Sequence, residues 1–261
     1  MSEVILITSG KGGVGKSTLA AALGRALAAR RRRTVLIDMD MGLRSLDMML
    51  GLEHKVVYDL ADVAEGMCRV RQALVKSPQM EDLWLLSAAQ TRGGDALTPR
   101  GMELVVLQLR DRFDMILIDS PAGVGRGFHN AAGCADRALI VATPDPIALR
   151  DAERVVGLLE RRGVRADGVI LNRMLPRDME DADVGPRAFE ERLRLPIIGL
   201  VPEEPRLKRR LDVHTNADPG LPPASRAADR IARRVLGEAV ALEPVVRPTL
   251  LQRLYLALKD Q

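Results

Sequence analysis

Short apolar runs recur along this chain, and helix-length amphipathic segments separate most of them. The runs that we assign to strands are residues 4–8, 34–38, 83–87, 115–119, 138–142, 168–172 and 197–201. The predicted helices are residues 18–28, 99–112, 148–162, 186–193 and about 225–236. This alternation predicts an α/β fold, a doubly wound and mostly parallel sheet with helices on both of its faces.

The pattern changes toward the end of the chain. Pro and Gly interrupt residues 218–223, and residues 243–248 form an extended, proline-containing joint. We therefore predict one domain over residues 1–242, the joint over 243–248 and a terminal helix over 249–261. The terminal helix carries one apolar stripe, formed by Leu250, Leu251, Leu254, Tyr255 and Leu258.

The apolar stripe has two interpretations. A short amphipathic helix can pack back on its own domain, or it can lie in the interface of a membrane. The segment is too short to span a bilayer, and no run in the chain approaches the required 18 or so apolar residues. The pattern alone does not decide between these two interpretations.

Composition narrows the type of core. The 261 residues are 47% hydrophobic but only 2% aromatic, so the core has to be built from Leu, Val, Ile, Ala and Met. Such a composition favours parallel strands covered by helices over a β-sandwich. It is sufficient for one α/β domain of this length.

Charge and cysteine content favour a protein of a reducing compartment without a specific nucleic-acid surface. The net charge is +4, and the densest basic run, residues 30–33, follows a predicted helix whose C-terminus it can stabilise. Cys68 and Cys134 stand alone without metal-ligand spacing, which favours a reduced compartment. The chain enters its first strand without a leader sequence, so we expect a cytoplasmic location. We expect no specific binding of nucleic acid.

The strongest motif lies between the first predicted strand and helix. Residues 9–18 read SGKGGVGKST and match the phosphate-loop pattern G-x-x-x-x-G-K-[ST]. Its backbone amides can bind phosphate oxygens, Lys16 can reach the β and γ phosphates, and Ser17 can bind Mg²⁺. The predicted phosphate-binding residues are Gly10, Lys11, Gly12, Gly13, Val14, Gly15, Lys16, Ser17 and Thr18. Lys11 is a second lysine on this loop, and near Lys16 it would be repelled unless phosphate charge intervenes.

Polar residues follow several other predicted strands. Asp38 and Asp40 end one strand, Asp119 ends another, and Asn172 and Arg173 end a third. Each could be a turn or capping residue. Ligands of open parallel sheets bind at the carboxyl ends of the strands, so the set indicates a nucleotide site at one edge of the sheet.

With these residues assembled, the chain resembles the deviant Walker A ATPases, the ParA/MinD family. The resemblance rests on Lys11, on Asp38-x-Asp40 and on ILIDSPAG at residues 116–123. It extends through GLRSLD at 42–47, VVYDL at 56–60, AQTR at 89–92 and LRDAER at 149–154, and these segments favour the MinD branch.

The resemblance implies an ATP-dependent homodimer in which Lys11 touches the phosphates of the other subunit. Lys11, Lys16 and Asp40 are the implied catalytic residues, with Asp40 positioning or activating the attacking water. Mg²⁺ is implied at Ser17, with Asp38 and Asp119 acting on it through water. Asn172, Arg173 and Pro202 are implied at the adenine.

The resemblance also favours the membrane interpretation of residues 249–261. It implies an ATP hydrolase that attaches to the cytoplasmic face of the cell membrane and places the division septum. Asp151 is implied at the surface for a MinC-like inhibitor and a MinE-like partner. A FlhG-type flagellar regulator and a ParA-type DNA-segregation ATPase remain alternatives.

Overall fold

The computed structural model describes residues 2–41, 45–89, 97–204 and 222–246. Its sheet has eight strands in the order β3-β4-β2-β5-β1-β6-β7-β8. The strands are β1 Glu3–Thr8, β2 Thr34–Asp38, β3 Leu74–Lys76, β4 Leu83–Leu86, β5 Met115–Asp119, β6 Arg137–Ala142, β7 Arg165–Met174 and β8 Ile197–Pro202. The predicted doubly wound α/β fold is confirmed.

Strand pairing is parallel except at one edge. β1 lies between β5 and β6, and β2 pairs with β5 so that Asp38 and Asp119 stand opposite each other. The three strands whose ends carry the phosphate loop and the two acidic residues are therefore adjacent. β3, a short strand antiparallel to β4, was not predicted because three residues are too few to show a period.

Helices cover both faces of the sheet. They are α1 Lys16–Ala28, α2 Ser45–Leu50, α3 Leu60–Ala64, α4 Val70–Ala73, α5 Pro99–Arg110, α6 Arg126–Cys134, α7 Pro146–Arg161, α8 Pro186–Leu193 and α9 Pro223–Val235. A 3-10 turn spans Pro176–Glu180. α1 and α9 contribute to the apolar cluster on one face, and α5, α6 and α7 contribute to the cluster on the other.

The aliphatic composition explains the two-sided core. β2 and β5 are buried along their whole length, as expected of strands covered on both faces. Small residues let the helices approach closely, and Ala20, Ala21 and Ala26 of α1 are fully buried. A Cβ at Gly24 would lie 3.1 Å from Leu36 of β2. The low aromatic content is therefore compensated by close packing of helix on sheet.

The chain that follows α9 is held against the domain. The guanidinium group of Arg234 donates hydrogen bonds to the carbonyl oxygens of Ile198, Val240 and Ala241. Arg230 forms an ion pair with Glu243, and Val245 packs partly against the core. The start of the predicted joint thus has contacts with the domain.

The predicted apolar stripe of Leu250, Leu251, Leu254, Tyr255 and Leu258 lies outside the described residues. The boundaries of joint and terminal helix accordingly stay predictions. In the part of the chain that the structure describes, every helix is too short or too polar to cross a bilayer.

Candidate functional site

The phosphate loop connects β1 to α1 in the predicted way. Gly13 and Gly15 have φ angles of 78° and 93°, a conformation that side chains with a Cβ rarely adopt. Gly15 is the N-cap of α1, and the first turn of α1 contains no acidic residue. The N-terminus of α1 is therefore free to attract a phosphate with its amides and its dipole.

The side chain of Asn172 is hydrogen-bonded to the backbone of this loop. Its Nδ2 donates a 2.7 Å hydrogen bond to the carbonyl oxygen of Val14, and the side chain is 8% exposed. A Cβ on Gly15 would lie 2.3 Å from the same Nδ2 atom. Asn172 was predicted at the adenine, and the structure adds a contact with the loop backbone that the sequence did not indicate.

The adenine-side residues lie at the ends of β7 and β8. β7 continues to Met174, so the strand extends two residues past Asn172, its predicted last residue, and includes Arg173. Arg173 is exposed and has a φ of 58°, at a point where the pairing register of β7 with β8 shifts. Pro202 pairs with Met174 across this irregularity. The three predicted residues therefore share one corner of the sheet.

Asp119 occupies the floor of the site. It is fully buried, and neither carboxylate oxygen makes a hydrogen bond of normal geometry, although Ser17 lies close enough to lower its pKa somewhat. Burial outweighs this effect and raises the pKa of Asp119 to about 7. A buried carboxylate without donors is costly unless a cation satisfies it. The pair of Ser17 and Asp119 offers the hard oxygen atoms that Mg²⁺ prefers, so these residues fit the ion.

Asp38, predicted near the metal ion, also binds backbone amides. One carboxylate oxygen accepts the amide of Asp40 at 2.9 Å, and the other accepts the amide of Leu46 at 3.2 Å. Burial raises the pKa of Asp38 to about 6 in spite of these bonds. Asp38 therefore ties the end of β2 to the start of α2, a contact that the predicted role near the metal did not include.

Asp40 and Lys16 face each other across the site. Burial lowers the pKa of Lys16, while the charges of Asp119 and Asp40 act in the opposite direction. Asp40 is half-buried, burial raises its pKa and Lys16 opposes that change. A cavity of about 330 Å³ adjoins Asp40 and is lined by Pro121 and Arg126 among others. There is room beside this carboxylate for a water molecule or an entering side chain.

Lys11 projects from the loop and is 45% exposed. Its Nζ lies 4.0 Å from Asp145, so a partly exposed counter-charge lies near it within its own chain. Asp145 is the N-cap of α7, where it also accepts the Ala148 amide and the Thr143 hydroxyl. Burial acts to raise the pKa of Asp145, but these partners hold it below its usual value.

Sequence reasoning did not identify Asp145. The signal was available, because Asp145-Pro146 before an amphipathic segment is typical of an N-cap followed by proline in the first turn. The spatial neighbour, Lys11, could not be found in this way, since it lies far away along the chain.

Asp151, the predicted partner-binding residue, lies on α7 and is half-buried. Its backbone and Cβ pack on the loop so tightly that a Cβ at Gly10 would lie 2.5 Å from the Asp151 carbonyl oxygen. Nearby Glu153 pairs with Arg192 at 2.5 Å, while Arg150 and Arg154 are exposed. The outer side of α7 is thus charged and accessible, and its inner side contacts the phosphate loop.

A phosphate loop at a strand-to-helix turn, a parallel sheet and a buried aspartate at the neighbouring strand end define a P-loop NTPase. Residues 1–236 match the ParA family, described as NUBPL iron-transfer P-loop NTPase. In the described residues no group of His, Cys, Asp and Glu side chains is arranged to hold a metal ion by itself.

Individual proteins give a closer comparison. The chain is 40% identical to the septum site-determining protein MinD of Bacillus subtilis (strain 168) over 250 residues, which are 93% of this chain and 92% of that protein. It matches the Aquifex aeolicus MinC:MinD cell division protein complex with a TM-score of 0.83 and 41% identity, covering 93% of this chain and 98% of that one.

A third similar structure is a nucleotide complex. The septum site-determining protein MinD complexed with Mg-ADP from Pyrococcus horikoshii OT3 is 28% identical, with a TM-score of 0.78 and coverage of 90% of this chain and 96% of that one. The chain therefore belongs to the ParA/MinD family of P-loop ATPases, within its MinD septum site-determining branch.

Proposed function

We propose that this chain is an ATP-driven switch that dimerises around two nucleotides, attaches to the cytoplasmic face of the cell membrane and places the division septum. The observation that carries the proposal is the composition of one site. A loop built for phosphate, a buried aspartate without hydrogen-bond donors and an outward-pointing second lysine occur together. The first two features support Mg-ATP binding, and the third supports a contact with another subunit.

Within one subunit each residue has a task that its position supports. Lys16 and the loop amides bind the phosphates, and Ser17 binds Mg²⁺ with Asp119 behind it. Asp38 would act on the ion through water, as the family resemblance implies. Asp40 orients the attacking water, because it is the more exposed of the aspartates and borders the cavity. Mg²⁺ supplies charge neutralisation of the phosphates in this arrangement.

The weak ion pair of Lys11 with Asp145 in the monomer supports the dimer proposal. Its pair with Asp145 is long and half-exposed, and pairs of this kind stabilise a protein by less than about 1 kcal/mol. The phosphates of a facing subunit offer far more negative charge than one carboxylate. Lys11 therefore exchanges Asp145 for phosphate when two ATP-bound subunits meet, as an arginine finger does in other NTPases.

Membrane attachment rests on residues 249–261. One short amphipathic helix binds a membrane weakly, whereas two helices in one dimer bind much more tightly because the second binding event is intramolecular. ATP therefore controls attachment by controlling dimerisation, and hydrolysis releases the protein.

Partner binding is assigned to α7 in this proposal. The similar Aquifex aeolicus structure is a complex of MinC with MinD, and the family resemblance implies that such partners bind the helix that contains Asp151. The exposed charges of Arg150 and Arg154 support a polar partner surface there. We propose a MinC-like inhibitor and a MinE-like stimulator as occupants.

One experiment tests nucleotide control of membrane attachment. Liposomes of anionic lipid are sedimented with the full chain, with a deletion of residues 249–261, with Lys11→Ala and with the matched control Lys55→Ala. We expect ATP-dependent sedimentation of the full chain and of the control, and its loss in the other two variants while nucleotide binding persists. Sedimentation that is independent of ATP, or unchanged by the deletion, would contradict the proposal.

The same preparations distinguish the proposed membrane switch from the ParA-type alternative. A ParA-type function requires non-specific DNA binding in ATP with strong salt dependence. Retention on DNA-cellulose in place of liposomes would favour that function. The described structure offers no observation that favours it, since Arg30 and Arg33 of the basic run pair with Asp229 and Asp114.

A further inference from the structure

A second cavity, of about 410 Å³, opens at the edge of the sheet opposite the phosphate loop. Arg33 comes immediately before β2, and Phe113 comes shortly before β5. β2 places Asp38 at its other end, so a strand of roughly 17 Å separates the cavity from the nucleotide site. The cavity is therefore distinct from the ATP site and needs its own explanation.

The polar lining of this cavity is predominantly cationic. Arg33, Arg71 and Arg112 contribute guanidinium groups, and Asp111 contributes one carboxylate. Arg33 is already paired with Asp114, with 2.9 Å between Nη2 and Oδ1. The described residues provide no hydrogen bond or ion pair to the guanidinium groups of Arg71 and Arg112. Two of the three cations thus form no ion pair among the described residues, and Asp111 is the one carboxylate in the lining.

Arg112 is the more informative of the two. Its Nε atom is buried and has no hydrogen-bond acceptor in the described part of the chain. A buried donor of a charged group is costly when it is unsatisfied, and its guanidinium group presents a fork that fits a phosphate or carboxylate. Arg71 reaches the same cavity from α4, on a different element. An anion in the cavity would contact the guanidinium groups of both arginines.

The remaining lining residues are apolar, and two of them are aromatic. Trp84 is half-buried, and its ring meets Phe113 edge to face with 5.2 Å between the ring centroids. Lys76 lies 5.3 Å from the centroid of Trp84, paired with it across the β3–β4 ladder. Leu74 completes the apolar wall. A ligand can therefore place an anionic group on the arginines and an apolar or aromatic body on Trp84.

We propose that this cavity binds an organic phosphate, that is, a phosphate monoester carried on a planar or apolar body. A phosphate monoester has a charge of nearly −2 at neutral pH, which matches two guanidinium groups better than a single carboxylate does. The volume lies in the range of about 300–1,000 Å³ typical of small-molecule sites. The site goes beyond the proposed ATP switch and does not depend on it.

The chain carries its own probe for the test, because Trp84 is its only tryptophan. Fluorescence of Trp84, excited at the red edge of its absorption, is followed in the full-length protein during titration with phenyl phosphate at pH 8 and low salt. We expect a saturable change that phenol does not produce, since phenol lacks the anion. Lys16→Ala, which weakens the phosphate loop, should leave the response unchanged.

Substitutions assign the response to the cavity. Arg71→Gln and Arg112→Gln should each weaken phenyl phosphate binding by about tenfold or more, because each removes a charge-assisted contact. Arg69→Gln is the matched control, an exposed arginine that does not line the cavity. Arg71 is exposed, so its substitution tests the site even if Arg112→Gln disturbs folding. No saturable change, an equal response to phenol, or equal binding by Arg71→Gln and Arg69→Gln would overturn the proposal.

Discussion

Single residues in this protein carry opposing demands of stability and ligand binding. Asp119 shows this most clearly, because a fully buried carboxylate without hydrogen-bond donors destabilises the chain before any ligand arrives. The raised pKa values of Asp119 and Asp38, about 7 and about 6, have the same origin in burial. Lys16 offsets part of this cost for Asp119, and two backbone amides offset part of it for Asp38.

Asp119→Asn separates the two demands. We expect the nucleotide-free variant to be more stable than the parent by roughly 1–3 kcal/mol, because a neutral amide replaces a buried charge of the same shape. The increase in melting temperature on adding Mg-ADP should be much reduced, because the acidic group behind the ion is lost. Thermal unfolding with and without Mg-ADP measures both effects. An Asn variant that is less stable without ligand would contradict the assignment of Asp119 as a carboxylate whose burial destabilises the nucleotide-free chain.

Asn172 illustrates what a sequence cannot reveal at this scale. Its position at a strand end indicated a nucleotide-side role, but its hydrogen bond to Val14 joins residues 158 positions apart. Lys11 and Asp145 form a similarly remote pair. Local pattern predicts which residues lie at the ligand edge, whereas the contacts among them depend on how the strands are ordered.

At the level of elements, three segments have the bounds that the sequence predicted. α8 has the predicted bounds, Pro186–Leu193, and β2 and β5 coincide with their predicted runs. α6, Arg126–Cys134, was missed because two glycines and polar residues interrupt its period, although its buried Phe128 and Ala131 face the core. α2, α3 and α4 have six residues or fewer and are too short to show a helical period.

The N-terminus of α7 gives a prediction about the dimer. Asp145→Asn keeps a good N-cap but removes the negative charge that faces Lys11. We expect ATP-dependent dimerisation to strengthen by up to about fivefold, the equivalent of the roughly 1 kcal/mol that a half-exposed pair can contribute. Analytical ultracentrifugation in ATP measures the dimer constant.

The control for this variant is Asp181→Asn, a turn aspartate whose carboxylate likewise accepts backbone amides, those of Asp183 and Val184. It should leave the dimer constant unchanged. Weaker dimerisation in Asp145→Asn would show that Asp145 supports Lys11 in the dimer and does not hold it in the monomer.

At the scale of the whole molecule, the segment after α9 connects the two faces of the sheet at the β8 edge. α9 closes one face, and the chain after it passes the edge strand toward the other face, where Val245 reaches the core. Arg234 connects these parts, since its guanidinium group bonds to β8 and to two carbonyl groups of the following segment. The described part of the chain therefore ends at a defined place on the domain.

Arg234→Ala tests this anchor. We expect a loss of about 1–3 kcal/mol in the free energy of unfolding, because three carbonyl groups lose a charged donor. Arg233→Ala is the control, since its pair with Glu238 is exposed to solvent and should contribute little to stability. Urea unfolding measures both, and equal stabilities of the two variants would contradict the anchoring role.

Because residue 10 is glycine, the beginning of the phosphate loop is in direct contact with α7. The loop backbone rests directly on α7 at Asp151, with no flexible atoms between them to absorb a displacement. A displacement at the beginning of the loop would therefore be transmitted directly to α7, the helix whose outer side carries the exposed charges of Arg150 and Arg154.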